Sequence, residues 1–219
     1  MIIVNRIICA IIGYLFGLIQ ASYIIGRIKH IDIREYGSGN AGTTNAMRVL
    51  GRKAGIITFL VDGLKSVAAM TLVRVLFVNC DYVFVLILYT GLGVVLGHNF
   101  PFYMNFKGGK GIAASAGLIL ATFDMKLLVL AIITFATVTL VSKYVSLGSL
   151  CVLTGFLIEV IIFGELDLMG SWSGFNSDFR FECYGIVLVL TILAYIRHAG
   201  NIKRLLNGTE RKIGSKKSE

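Results

Sequence analysis

Hydroxyls, amides and cationic side chains gather in three short glycine-bearing stretches of an otherwise apolar chain. The first is Gly37-Ser38-Gly39-Asn40-Ala41-Gly42-Thr43-Thr44-Asn45, followed closely by Arg48. The second is Phe106-Lys107-Gly108-Gly109-Lys110-Gly111, and the third is His198-Ala199-Gly200-Asn201-Ile202-Lys203-Arg204. Glycine lets backbone N–H groups approach a ligand, and hydroxyls, amides and cations are the groups that bind phosphate oxygens. If one fold brings the three together, they describe a receptor for phosphate-bearing molecules.

A helix beginning near Thr44 places Asn45 and Arg48 on one face and turns the free N–H groups of its first turn toward the loop. Ser38, Thr43 and Thr44 add hydroxyls, and Arg48 adds a guanidinium able to grip phosphate at two points. The same residue types also make ordinary turns and helix caps. Lys107 and Lys110 around paired glycines form a cationic cradle, with Gly108, Gly109 and Gly111 lining it at a helix start. The plainer alternative is a basic loop. It is not a nucleotide P-loop, because GxxxxGK[ST] is absent.

His198, Asn201 and Arg204 recur every three residues and share a face if the last apolar segment continues as a helix. Ser146 and Ser149 stand at the start of another segment, where their hydroxyls either join the site or bond between helices. His98 and Asn99, just before Pro101, read as helix-end hydrogen-bonding groups. Asp62 and Lys65, at i, i+3 within an apolar segment, read as a structural ion pair, since charge at membrane depth demands a partner.

The elements that must position these groups are membrane helices. Of 219 residues, 56% are hydrophobic and only 15% charged, with a mean hydropathy of +0.82; a soluble domain is excluded. Apolar stretches cover 2–25, 55–78, 82–97, 111–123, 126–141, 145–163 and 184–197. With about 20 residues needed per crossing, the pattern predicts an all-α bundle of about seven helices. Five full spans are the fallback, should 111–123 and 126–141 form a re-entrant or tilted hairpin. The first stretch is long, lacks an Ala-x-Ala-like exit and reads as a retained helix rather than a signal peptide. Residues 1–219 read as one membrane domain with a short basic tail from 209.

Seven crossings put Arg27, Lys29, Arg34, Arg48, Arg52, Lys53, Lys107, Lys110, Lys143 and the C-terminal cations on one side. Only Arg6, Lys126 and Arg180 fall on the other, with Lys65 and Arg74 inside the second stretch. The positive-inside rule then predicts an outside N-terminus, a cytoplasmic tail and all three polar stretches on the cytoplasmic face. The net charge of +9 is thus mainly a topology signal, and the Lys212–Lys217 cluster suits anionic headgroups. Nothing beyond charge suggests nucleic acid.

Cys9, Cys80, Cys151 and Cys183 show no metal-ligand spacing. Cys80 and Cys183 would share the outer face, which permits a disulfide without requiring one. The outer loop 164–183, with Glu165, Asp167, Asp178 and Glu182, reads as a solvated cap. No GxSxG elbow or metal cluster appears. The His30…Glu35 pair only approaches the His-x4-Asp of soluble-faced glycerolipid acyltransferases, with the wrong acid.

Taken in order, Ser22-Tyr23-Ile24-Ile25-Gly26, GSGNAGTTNAMR (37–48), GHNFP…FKGGKGIA (97–113) and HAGNIKRLLNGTE (198–210) resemble the bacterial acyl-phosphate:glycerol-3-phosphate acyltransferases. That resemblance implies an inner-membrane enzyme of phospholipid synthesis, without cofactor or metal. It would move an acyl group from acyl phosphate to the sn-1 hydroxyl of glycerol 3-phosphate, giving lysophosphatidic acid and phosphate. It also implies active-site roles for Ser38, Thr44, Asn45, Arg48, Lys107, His198 and Asn201, with Arg204 beside them. Gly108, Gly109 and Gly111 would line a phosphate site, and Glu210 would be structural. Thr43 stands where the family often has Ala, and Ala114-Ser115 where Ala-Thr is usual. Rival readings are an organic-phosphate transporter, which predicts inverted repeats and a mid-membrane site, and a lipid-phosphate phosphatase, whose nucleophile and acid are missing.

The sidedness is testable. Single cysteines at Gly51 and Ser215 should escape impermeant thiol reagents in intact cells, and one at Ser173 should label. Labelling at Ser215 from outside would overturn the orientation.

Overall fold

Apolar residues all round a segment leave the backbone as its chief polar component, and in lipid that backbone must bond to itself. The computed structural model, which describes residues 2–169 and 179–214, is accordingly all-helical among those residues. The α-helices are α1 (Ile2–Gly17), α2 (Ala21–Ile28), α3 (Thr43–Val49), α4 (Arg52–Leu76), α5 (Val83–Asn99), α6 (Ile112–Ala121), α7 (Met125–Ser142), α8 (Val145–Glu165), α9 (Arg180–Arg197) and α10 (Ala199–Leu206). Short 3-10 turns occupy Ile33–Glu35 and Phe102–Met104. Asp178, Ser173, Ser215, Lys216 and Lys217 lie outside the described residues.

Among the described residues, five stretches are long and apolar enough to cross a bilayer: Ile2–Ile28, α4, Val83–Met104, α7 and α8. The α9–α10 pair makes a sixth if taken as one span, although it bends by 61°. α6, with ten residues, is ~15 Å long, half the hydrocarbon thickness. The doubtful hairpin thus resolves into one short helix and one helix of full length. Contacts nevertheless alternate the helix directions through all seven segments. Arg6 near the start of α1 pairs with Glu182 near the start of α9. Arg74 at the end of α4 reaches the Ala121 carbonyl at the end of α6. Lys126 of α7 bonds the Leu168 carbonyl beyond α8. At the opposite end, Ser146 of α8 meets Glu210, and the Ile213 N–H meets the Lys143 carbonyl after α7. All three polar stretches belong to this second end. Cys80 and Cys183 are both free thiols.

Without a hydrophobic drive between helices in lipid, small residues permit the close approach that holds them. α1 and α5 cross at paired glycines four residues apart. A Cβ at Gly13 would sit 2.0 Å from the Thr90 carbonyl oxygen, and one at Gly17 2.3 Å from that of Val94. Conversely, a Cβ at Gly93 would lie 2.2 Å from the Ala10 oxygen, and one at Gly97 2.2 Å from the Tyr14 oxygen.

Beside this crossing, the chain leaves helical geometry between α1 and α2 and frees carbonyls. Lys65 Nζ takes up two of them, at Ile19 (2.6 Å) and Gly17 (3.3 Å). It also bonds Asp62 Oδ1 at 2.9 Å and faces His98 Nδ1 at 2.9 Å. Asp62, Lys65 and His98 are all buried.

Gly93→Ala should therefore destabilise the protein by roughly 1–3 kcal/mol, as overpacking does. Gly185→Ala, whose added Cβ meets nothing within 4 Å, should be stabilising by up to about 1 kcal/mol through helix propensity. Thermal unfolding of the purified variants in detergent checks both signs.

Candidate active site

The end of α5 fixes the glycine-lysine loop. The Gly108 N–H donates to the Asn99 carbonyl (3.1 Å) and the Gly109 N–H to that of His98 (3.0 Å). A Cβ at Gly109 would lie 1.9 Å from His98 Nε2, and one at Gly108 2.1 Å from the His98 carbonyl oxygen. These two glycines give space to the loop's packing, and their N–H groups are spent on α5. This corrects the expectation that they offer donors to phosphate. From the other side, Arg197 Nε and Nη2 donate to the Gly109 carbonyl (3.1 and 2.9 Å), and Nη2 to that of Gly108 (3.1 Å). Gly111, at φ +82°, then turns the chain into α6.

The loop delivers Lys110, not Lys107, to the third polar stretch. Lys110 Nζ donates to Asn201 Oδ1 at 2.5 Å, whereas Lys107 is exposed and outside this hydrogen-bonded cluster. Asn201 Nδ2 donates to Glu210 Oε1 (2.6 Å), Ser146 Oγ to the same oxygen (3.0 Å), and Arg204 Nε to Oε2 (2.7 Å). Glu210 thus joins α8 to α10. Burial works to raise its carboxyl pKa, but the bonds from Asn201, Arg204 and Ser146 outweigh that and hold it below the usual range. Ser149 turns away from this group: its hydroxyl bonds the Val145 carbonyl at 2.8 Å, within its own helix.

His198 stands at the corner where α9 gives way to α10. Its Nδ1 lies 2.8 Å from the Ala194 carbonyl; a carbonyl only accepts, so Nδ1 carries the hydrogen and Nε2 presents a lone pair. Burial first, then the Lys110 charge, lowers the His198 pKa to about 4. The imidazole is neutral at physiological pH. Burial also lowers the Lys110 pKa to about 8, opposed by Glu210 and reinforced by Arg204, Arg48 and Arg197. These influences place Arg48 within electrostatic reach of the cluster. Among the described residues, Lys110 shares its surroundings with three further cations, Arg48, Arg197 and Arg204, and with one carboxylate, that of Glu210. An anion is the complement such a site lacks.

The first loop arrives differently from its sequence reading. Asn45 is buried; its Oδ1 accepts from the Ser38 N–H (2.8 Å), and its Nδ2 donates to the carbonyls of Tyr36 (3.0 Å) and Ile33 (3.1 Å). It shapes the loop with these bonds and has little left for phosphate. Thr44 and Arg48 are exposed one turn apart on α3, Ser38 is exposed, and Thr43 Oγ1 is buried without a partner.

The family described as glycerol-3-phosphate acyltransferase matches residues 7–208. The chain belongs to this family. It is 41% identical over 211 residues to the glycerol-3-phosphate acyltransferase of Thermoanaerobacter sp. (strain X514), covering 96% of each chain. Its identity to that of Clostridioides difficile (strain 630) is 39% over 224 residues, covering 98% of each. Among solved structures, it resembles the glycerol 3-phosphate form of PlsY (YgiH), an integral membrane glycerol 3-phosphate acyltransferase, with a TM-score of 0.80 at 29% identity. That likeness covers 95% of this chain and 96% of the other. The lysophosphatidic acid form of the same enzyme gives a TM-score of 0.77 at the same identity. The chain is thus a multi-pass membrane protein of the glycerol-3-phosphate acyltransferase family. The family match spans all of this cluster except Glu210, two residues beyond its end.

For this family member, the geometry ranks the two lysines. Lys110→Gln should lower kcat/KM by about ten- to a hundredfold, the worth of a charge-assisted hydrogen bond. Lys107→Gln should stay within about threefold, as expected of an exposed charge. Lys110 is charged below its pKa of about 8 and neutral above it. The kcat/KM of the wild type should accordingly fall as pH rises through 8, and Lys110→Gln should lack that limb. Steady-state kinetics across pH 6–10 (roughly two units either side of that limb) decide both points.

Proposed function

We propose that this protein transfers a fatty acyl group from acyl phosphate to the sn-1 hydroxyl of glycerol 3-phosphate, releasing lysophosphatidic acid and inorganic phosphate. The reading rests on the cation excess around Asn201 and Glu210 at one end of the helix bundle. Both substrates carry phosphate and the reaction expels phosphate. A site at the bundle end also supports an enzyme over a transporter, which needs its site near mid-membrane. We place that end at the cytoplasmic face of a bacterial inner membrane, from the distribution of basic residues. The site binds acyl phosphate and glycerol 3-phosphate among membrane lipids, with no cofactor in the scheme.

In this scheme the glycerol oxygen attacks the acyl carbonyl, a new C–O bond forms, and the C–O bond to phosphate breaks. Acyl phosphate is already activated, so positioning and charge stabilisation carry most of the task. Arg48 and Lys110 hold the phosphate groups, with Ser38, Thr43 and Thr44 as neutral donors. Asn201 orients the lysine and glycerol 3-phosphate. His198 Nε2 accepts a hydrogen bond from the attacking hydroxyl. Burial keeps the His198 imidazole a weak base, so the hydroxyl proton passes to the departing phosphate, which takes it up as the C–O bond breaks.

Purified protein given acyl phosphate and glycerol 3-phosphate should form lysophosphatidic acid in detergent. Product from acyl-thioester but not acyl phosphate would refute the donor. Arg48 supplies a sharper test, because a guanidinium offers two parallel bonds and an ammonium a point charge. Arg48→Lys should fold yet lose about ten- to a hundredfold in kcat, the worth of one charge-assisted bond of roughly 1.5–3 kcal/mol. Full activity would make Arg48 a headgroup anchor and leave Lys110 as the main phosphate cation.

A further inference from the structure

Two consecutive glycines make the most freely rotating backbone a chain can have, and ordering them costs more entropy than ordering any other pair. A lysine that follows them is aimed only if something holds those peptides. Gly108 and Gly109 are held at both kinds of backbone group. Their N–H groups bond the last carbonyls of α5, and their carbonyls accept three hydrogen bonds from the guanidinium of Arg197. The guanidinium is half-buried, and the Phe100 ring lies over it at 5.3 Å. Arg197 is the last residue of α9, immediately before His198 and four before Asn201.

We propose that Arg197 is a positioning residue of the acyl-transfer site. It ties the lysine-bearing loop to the helix corner that carries His198 and Asn201, and so fixes the Lys110 ammonium against Asn201. The proposal rests on the reading in which Lys110 holds a substrate phosphate. Arg197 acts through Lys110; its three bonds go to the chain's own carbonyls. The planar fork is what the task requires, since one guanidinium spans two carbonyls while an ammonium offers a point charge. A lysine at 197 would keep the charge and lose the grip.

The test is a double-mutant cycle of Arg197→Gln and Lys110→Gln, read both as kcat/KM for lysophosphatidic acid formation and as glycerol 3-phosphate affinity by calorimetry. Alone, Arg197→Gln should cost about tenfold or more in kcat/KM; in the Lys110→Gln background it should cost less than about twofold, because residues acting as a unit are not additive. The alkaline limb should also move upward in Arg197→Gln, since the Arg197 charge helps lower the Lys110 pKa. Arg197→Lys should follow Arg197→Gln in activity, and it carries the same cycle if Arg197→Gln does not fold. An equal penalty with and without Lys110 would show a merely structural role and overturn the proposal, as would full activity in Arg197→Gln. Wild-type protein that binds glycerol 3-phosphate without acylating it would refute the acyl-transfer reading, leaving the affinity cycle to judge Arg197. Wild-type protein that does neither would sink both.

Discussion

A lysine ammonium inside a lipid-crossing helix is tolerable only when its hydrogens are met, and Lys65 meets that demand with parts of three elements. Its three hydrogens face four acceptors: a carboxylate on its own helix, two carbonyls freed where α1 breaks before α2, and the ring of His98 on α5. Removing one partner of such a buried group leaves an uncompensated charge and costs several kcal/mol. The helix break is therefore coupled to the cation it solvates. The consequences extend outward from His98. Its carbonyl takes the side-chain amide of Gln20 and the N–H of Gly109, and its ring fills the space a side chain at 109 would need. Satisfying one buried charge thus fixes the end of α5, and the glycine loop inherits its position from that end.

The contrast between Lys65 and Lys110 separates structure from function. Lys65 is saturated by the fold, and its acceptors leave no coordination for a ligand. Lys110 touches one amide oxygen and shares its surroundings with three arginines and one carboxylate. Like charges held together in a partly desolvated place are unfavourable until an anion arrives. Folding maintains this imbalance through Glu210, which is bonded by Asn201, Arg204 and Ser146 and keeps α8 and α10 in place. A second carboxylate would neutralise that excess of positive charge and remove the site's pull on an anion.

Hydropathy and spacing made the seven helical segments legible, and glycine with cations marked the three stretches that converge. Spacing could say that Asn45 and Arg48 are neighbours on a helix, but not that the Asn45 amide is consumed by backbone groups of its own loop. Ser149 was ambiguous for the same reason, because a hydroxyl can always return to the carbonyl one turn back. The glycines at 108 and 109 look alike as phosphate donors and as spacers; only the approach of His98 decides. Arg197 was visible as a cation in the last turn of a helix, a position where cations meet free carbonyls. Which carbonyls those would be depended on a loop 88 residues away.

The shortness of α6 connects these parts. A ten-residue helix cannot by itself reach across the hydrocarbon, so irregular backbone at its ends must complete the crossing. Irregular backbone at that depth survives only where protein groups satisfy it, and here the end of α5 and Arg197 do so. The loop thereby carries Lys110 to a place flanked by apolar helices on one side and by polar side chains on the other. A reaction between a lipid-soluble acyl donor and a water-soluble alcohol needs its charged atoms at such a boundary.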